Sequence, residues 1–270
     1  MFSLENKVAI VTGAANGIGA SIVKEFLKEN VKHVCMLDID DSSGRKLEQD
    51  LSLMYTTDKV KFYKCDVTKD EELSAIFNAV VERFGAIDVL VNNAGLATEN
   101  LTTYKKEIDI NYAAVVSSTF KALELMRTDR GGKGGTIINV SSVSALAQYS
   151  PFLFVYASSK SAVLHFSSCI GMKNYYRHTN VRVITICFGA TDTDIFEKCA
   201  SSDNIVNQKL DSIRKYTSRH SLMQTPEVAA QGVVKGYKEG KSGSTWLVNS
   251  NKISDITSNI SKAYEIMSKI

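Results

Sequence analysis

The sequence predicts a doubly wound α/β fold on a mostly parallel sheet, from three observations. Short apolar runs recur along the chain, amphipathic stretches of helical period separate them, and a glycine-rich turn joins the first run to the first helix. Unbroken apolar runs suit strands covered on both faces. Their alternation with helices gives parallel pairing with helices on each side of the sheet.

The first strand is Lys7-Val-Ala-Ile-Val-Thr12, and the helix beyond the glycine turn runs from about Ala20 to Glu29. Val34-Cys-Met-Leu37 forms the second strand and Val60-Lys-Phe-Tyr-Lys-Cys65 the third, followed by a helix from about Asp70 to Phe84. Ile87 to Val91, Thr136 to Val140 and Val181 to Cys187 are the fourth to sixth strands. Between them lie long helices over about Thr103 to Met126 and Phe154 to Tyr176. Pro151 and Pro226 fall in predicted loops or at helix starts and disturb no element. Nothing interrupts the alternation as a linker or a repeat of another period, so residues 1–270 read as a single domain.

The first strand runs straight into Gly13-Ala-Ala-Asn-Gly17-Ile-Gly19. Gly13 permits a tight turn. Gly17 and Gly19 let the backbone and helix approach a pyrophosphate, whose charge suits the free N–H groups at the helix start. Strand, glycine turn and helix in that order predict a Rossmann-type dinucleotide site. The second strand delivers Asp38, 19 residues past Gly19. A carboxylate there accepts from both ribose hydroxyls and repels a 2′-phosphate, favouring NAD over NADP. Asp38 could instead cap its strand or open the turn Asp38-Ile-Asp40-Asp41.

Tyr156 and Lys160 stand four residues apart in Val155-Tyr-Ala-Ser-Ser-Lys160. On a helix this spacing puts phenol and ammonium on one face. A tyrosine, with a reference pKa of about 10, becomes a general acid/base candidate when a fixed cation stabilises its phenolate. The same spacing is common on solvated helix faces. It gains meaning from the glycine turn and Ser142 upstream.

On these motifs the chain resembles the short-chain dehydrogenase/reductase family, from about Lys7 to Val248. The family's glycine pattern is matched by Thr12, Gly13, Gly17 and Gly19, and its Asn-Asn-Ala-Gly motif by Asn92 to Gly95. Its serine matches the end of Ile138-Asn-Val-Ser-Ser142 and its helical asparagine matches Asp109-Ile-Asn111-Tyr112. Within the family the chain is similar to 15-hydroxyprostaglandin dehydrogenases and insect alcohol dehydrogenases. That likeness rests on the short stretch between Gly95 and Asn111, on Arg130-Gly-Gly-Lys-Gly-Gly-Thr-Ile-Ile138 and on Gly243-Ser-Thr-Trp-Leu-Val248.

The resemblance implies a seven-stranded sheet and a catalytic set of Asn111, Ser142, Tyr156 and Lys160. Ser142 would hold the substrate oxygen, Lys160 would lower the tyrosine pKa and bind the ribose, and Asn111 would hold a water linking Lys160 to solvent. Implied cofactor contacts are Gly13, Asn16, Gly17, Ile18, Gly19, Asp38, Asp66, Val67, Asn92, Ala94, Gly95, Gly189, Thr191 and Thr193, with Tyr156 and Lys160. Implied substrate contacts are Ser142, Ser144, Phe152, Tyr156, Phe188 and Phe196, under a lid at about 190–224. Two departures stand out: Phe188-Gly189 replaces the family's Pro-Gly, and Ser142 precedes Tyr156 by fourteen residues, one more than in the nearest relatives.

Composition narrows the rest. A chain of 270 residues with 44% hydrophobic content can bury one large core. No run approaches the roughly 20 apolar residues of a membrane span, and the start lacks a charged segment leading into an apolar one. These features read as a soluble, cytoplasmic protein. The net charge of +3 is small beside 32 basic and 29 acidic residues, so nucleic acid is not an expected partner. His33, His165, His178 and His220, and the five cysteines, show no ligand spacing; no metal is expected. Surplus apolar residues on the two long helices, Val115, Val116, Phe120, Leu123, Val163, Leu164 and Phe166, together with the family habit, point to a homodimer or homotetramer. The expected function is NAD-dependent interconversion of a moderately hydrophobic secondary alcohol and its ketone. The alternative is a cofactor-binding or storage-type relative with little turnover.

Overall fold

The structure, a computed structural model, describes residues 1–148 and 152–269. The loop expected around Pro151 lies outside the described residues. Along the chain the elements are β1 (Val8–Thr12), α1 (Gly17–Lys28), β2 (His33–Asp38), α2 (Asp41–Met54), β3 (Val60–Lys64), α3 (Asp70–Phe84) and β4 (Val89–Asn92). Then come β5 (Thr98–Glu99), α4 (Tyr104–Ile108), a π-helical turn at Asp109–Ala113, α5 (Ala114–Met126), β6 (Gly135–Ser142) and α6 (Phe154–Ile170). The chain finishes with α7 (Lys173–Thr179), β7 (Val181–Phe188), α8 (Asp194–Glu197), β8 (Ala200–Ser201), α9 (Asn204–Arg219), α10 (Pro226–Glu239), β9 (Thr245–Asn249), β10 (Lys252–Asp255) and α11 (Thr257–Ser268).

The main sheet has the order β3-β2-β1-β4-β6-β7-β9-β10, and every pairing in it is parallel except β9 with β10. This is the expected doubly wound architecture, and the order reverses beside β1. Alternate side chains of each strand feed two separate cores. In β1, Ala9 and Val11 pack against one helical layer while Val8 and Ile10 pack against the other. Strands buried on both faces read as unbroken apolar runs, which is why they were legible.

The sheet has eight strands rather than seven. The extra one, β10, returns from β9 through Ser250 and Asn251, with φ of 49° and 61°. Two successive left-handed residues make the tight hairpin that an antiparallel return needs. The strand itself is short, largely exposed and without an apolar run. The helix expected over Phe154 to Tyr176 divides into α6 and α7 at Gly171. A Cβ there would lie 2.7 Å from the Gly243 Cα, so the helix end is pressed against another backbone. Between β7 and α10, α8, β8 and α9 occupy the stretch expected as a lid at about 190–224. β8 pairs in parallel with β5, which ties this segment to the chain that follows β4. Among the described residues no helix is long and apolar enough to cross a membrane.

Candidate active site

The site lies beyond the carboxyl ends of the parallel strands, where open α/β sheets present their loops. Gly13 and Gly17 have φ of +63° and +54°, backbone that a side chain would strain. A Cβ on Gly19 would fall 1.9 Å from the Gly13 carbonyl oxygen, so α1 can start this close to the turn only with glycine. The loop after β4 clamps the turn. Thr12 Oγ1 accepts the N–H groups of Asn93 and Ala94 at 3.0 and 3.1 Å, and Asn93 Nδ2 donates to the Thr12 and Gly13 carbonyls at 3.0 and 3.1 Å.

At the end of β2 the Asp38 carboxylate accepts the Ala15 N–H at 2.9 Å and the Asp40 N–H at 3.0 Å. Asn16 Nδ2 donates to Asp40 at 3.1 Å. Asp38 and Asp40 both face the cavity, so this corner carries negative charge; Asp66 and Lys106 lie on the wall further round.

The π-helical turn before α5 carries Asn111, which is fully buried. Its side chain holds Leu96 by both main-chain groups: Oδ1 accepts the Leu96 N–H and Nδ2 donates to the Leu96 carbonyl, each at 2.8 Å. Nδ2 also lies 3.3 Å from Ser159 Oγ. A π-turn widens the helix locally, and such turns recur at functional sites.

α6 brings Tyr156 and Lys160 together on one face, with the Lys160 Nζ 5.8 Å from the Tyr156 ring centre. The start of α6 has no side-chain cap of its own. Glu99 supplies one from β5, accepting the N–H groups of Phe154 at 2.9 Å and Val155 at 2.7 Å. Lys160 is 3% exposed and donates to the Val140 carbonyl at 3.2 Å. Burial pulls its ammonium down to about 8, against the pull of Cys187 and Glu107. Burial pushes the Tyr156 phenol up to about 12, opposed by a hydrogen bond from Ser142. Ser142 closes β6 directly beside Phe188, the last residue of β7, and its Oγ accepts the Ser144 N–H at 3.2 Å.

A cavity of about 1360 Å³ joins these groups, large enough for a dinucleotide and a second molecule. Gly13, Asn16, Gly17, Ile18, Gly19, Asp38, Asp66, Val67, Ala94, Gly95, Gly189, Thr191 and Thr193 line it. So do Ser142, Ser144, Phe152, Tyr156, Lys160, Phe188 and Phe196. Two expected residues stand behind the wall. Asn111 holds the Leu96 backbone as described. Asn92 is buried in a network in which its Nδ2 donates to Asn139 at 2.8 Å and Ser118 Oγ donates to its Oδ1 at 2.7 Å. Sequence reasoning missed Asn93, which clamps the glycine turn, and the lid wall made by Leu153, Ile195, Cys199, Leu210 and Ile213. The signal for Asn93 was its place inside the Asn-Asn-Ala-Gly motif. For α9 it was the helical spacing of Val206, Leu210 and Thr217, its buried residues.

The glycine turn, the acid at the end of β2 and the Tyr156–Lys160 face occur in a chain whose residues 7–204 match the family model of the short chain dehydrogenases. The chain belongs to that family. Among its relatives, the 15-hydroxyprostaglandin dehydrogenase [NAD(+)] of Mus musculus is 32% identical over 233 residues, 86% of this chain and 85% of that protein. Alcohol dehydrogenase 2 of Ceratitis cosyra is 28% identical over 256 residues, 94% of this chain and 95% of that one. A solved structure titled gox2181 superposes with a TM-score of 0.77 at 22% identity, over 91% of this chain and 95% of its own, and shares the fold. As a short-chain dehydrogenase the chain is an oxidoreductase, and its family binds nicotinamide cofactors at the glycine turn.

Proposed function

We propose that this short-chain dehydrogenase interconverts a moderately hydrophobic secondary alcohol and its ketone with NAD, using Tyr156 as the acid/base. The observation that carries this reading is the convergence of Ser142, Tyr156 and Lys160 on the cavity that the glycine turn also lines. NAD fits the residues present. The cradle at Gly13, Gly17 and Gly19 has room only for backbone, and Asp38 with Asp40 would accept ribose hydroxyls and repel a 2′-phosphate. Lys160 and Tyr156 would flank the nicotinamide ribose, with Gly189, Thr191 and Thr193 beside the ring.

An oxidised nicotinamide held by these residues would supply the acceptor for a hydride from the carbinol carbon. The protein's residues handle the rest. Ser142 holds the alcohol oxygen by hydrogen bonding. The phenolate of Tyr156 takes the hydroxyl proton as the C–H bond breaks, and the alcohol leaves as a ketone; reduction runs the same steps backwards. Burial and the Ser142 hydrogen bond act oppositely on the Tyr156 phenol, and the Lys160 ammonium, 5.8 Å from the ring centre, would add its charge in favour of the phenolate. Asn111 fixes Leu96 and with it the loop that forms the floor of the site. Phe152, Leu153, Phe188, Ile195, Phe196 and Leu210 give the remaining wall an apolar character, which suits a hydrophobic carbon skeleton.

Cofactor consumption measured with NAD and NADP against a panel of secondary alcohols and ketones tests the reading. Reduction of NAD by apolar secondary alcohols is expected. Binding of NAD without turnover across the panel would contradict it and leave a cofactor-binding relative.

A further inference from the structure

One titratable group beside the site has no part in the chemistry above. Glu107, on α4, is fully buried, and among the described residues neither of its carboxyl oxygens has a hydrogen-bond partner. A buried carboxyl is ordinarily paired or hydrogen-bonded, because an unpaired one forfeits the solvation of its charge. Glu107 stands one helical turn before Asn111, so both project from the same side of the widened helix. Asn111 and Lys160 in turn border the same spot: a Cβ on Gly95 would lie 3.4 Å from Asn111 Oδ1 and 3.6 Å from Lys160 Nζ. α4 packs directly on α6, which carries Tyr156 and Lys160.

The ionisable groups facing Glu107 are few. From β5 comes Glu99, whose oxygens are both committed to the start of α6. From α6 come Lys160 and Tyr156. Lys105 and Lys106 of its own helix are exposed. Lys160 is thus the one cation facing this carboxyl among the described residues, and Lys160 itself is bound only to the Val140 carbonyl.

We infer that Glu107 is a positioning residue that holds Lys160 in its charged form, acting as a buried counter-charge. Burial and the neighbouring Glu99 push the Glu107 carboxyl up to about 7, with Lys160 pulling the other way. Burial pulls Lys160 down to about 8. Below about 7 Glu107 is neutral and gives Lys160 no help. Above it the carboxylate stabilises the ammonium. The effect on Tyr156 is indirect, because the Glu107 charge by itself disfavours the phenolate. The ammonium that it maintains favours it.

This inference rests on the proposed roles of Tyr156 and Lys160, and the experiment separates the two. Whole protein labelled with ¹³C at lysine is titrated by NMR, with the Lys160 resonance assigned by its loss in Lys160→Arg. The wild type is compared with Glu107→Gln, which keeps the shape and removes the charge, and with Glu107→Leu should the amide fail to fold. Lys160 is expected to lose its proton roughly one pH unit lower without the carboxylate, the scale of a nearby opposite charge. Glu107→Asp should restore most of that difference. The high-pH limb of NAD-linked oxidation should move down with it. An unchanged Lys160 titration in Glu107→Gln and Glu107→Leu would overturn the inference. A shifted titration in a protein that oxidises no alcohol would uphold the coupling and sink the catalytic reading instead.

Discussion

Glu99 accepts the Phe154 N–H at 2.9 Å, and its second oxygen takes the Val155 N–H at 2.7 Å. Tyr156 is the next residue. A carboxylate from β5 therefore sets the first turn of the helix that carries the proposed acid/base, and its negative charge also suits that end of the helix dipole. Because β5 pairs with β8, the same short strand joins the start of α6 to the lid.

Glu99→Ala should cost about 1–2 kcal/mol of stability, since it leaves two part-buried N–H groups at the start of α6 without their acceptor. Denaturant unfolding measures that loss. Turnover should fall further than NAD affinity, because the change falls within one turn of Tyr156 and away from the glycine cradle. Equal losses in both would count against this role.

Asp38 governs cofactor choice in this account. Asp38→Ala should shift the NAD-to-NADP affinity ratio toward NADP by about tenfold or more, as the repulsion of a 2′-phosphate disappears. The variant also frees the N–H groups of Ala15 and Asp40, so NAD itself should bind somewhat less tightly. Titration of both cofactors decides it. A wild type that binds NADP as well as NAD would defeat the assignment.

His33 makes stability depend on acid pH. It is fully buried, its Nδ1 lies 2.6 Å from the Asp58 carbonyl, and its Nε2 has no hydrogen-bond partner among the described residues. Burial, reinforced by Arg83, holds its pKa below the usual histidine value, while the Asp58 carbonyl works the other way. The unfolded chain thus binds this proton more readily than the folded one. The stability contribution is full above the ordinary pKa of about 6.5 and drains away as pH falls toward the depressed folded value, by at most about 1.4 kcal/mol per pH unit. Glu107 has the opposite sign: its folded pKa is raised, so its contribution is lost as pH rises toward about 7. The difference between wild-type and His33→Leu unfolding curves isolates the histidine. A difference that does not change from pH 7 to pH 5 would refute the linkage.

The parallel strands, the glycine turn and most of the cavity wall were legible because each writes a local pattern: apolar runs for doubly covered strands, glycines where backbone must touch backbone, and a four-residue spacing on α6. β10 was not, since a short exposed hairpin strand turns on the left-handed residues Ser250 and Asn251 and has no apolar run. The hydrogen-bond partners of Asn92 and Asn111 were hidden for another reason. Both are held in buried networks by residues distant in sequence, Asn139 and Ser118 for one and Leu96 for the other, and no local pattern predicts such partners. The cap from Glu99 and the unpaired Glu107 were hidden likewise, because a carboxylate on a helix or strand reads as a solvated surface charge until the fold covers it.

Tyr156 is assigned the proton transfer, and Tyr156→Phe keeps the ring while removing the acid/base group. Single-turnover hydride transfer and NAD affinity are measured on the same preparation with a substrate found in the alcohol panel. The account predicts a loss of roughly 10²–10⁴-fold in the rate of hydride transfer with NAD affinity retained. A Tyr156→Phe protein that transfers hydride at the wild-type rate would contradict it.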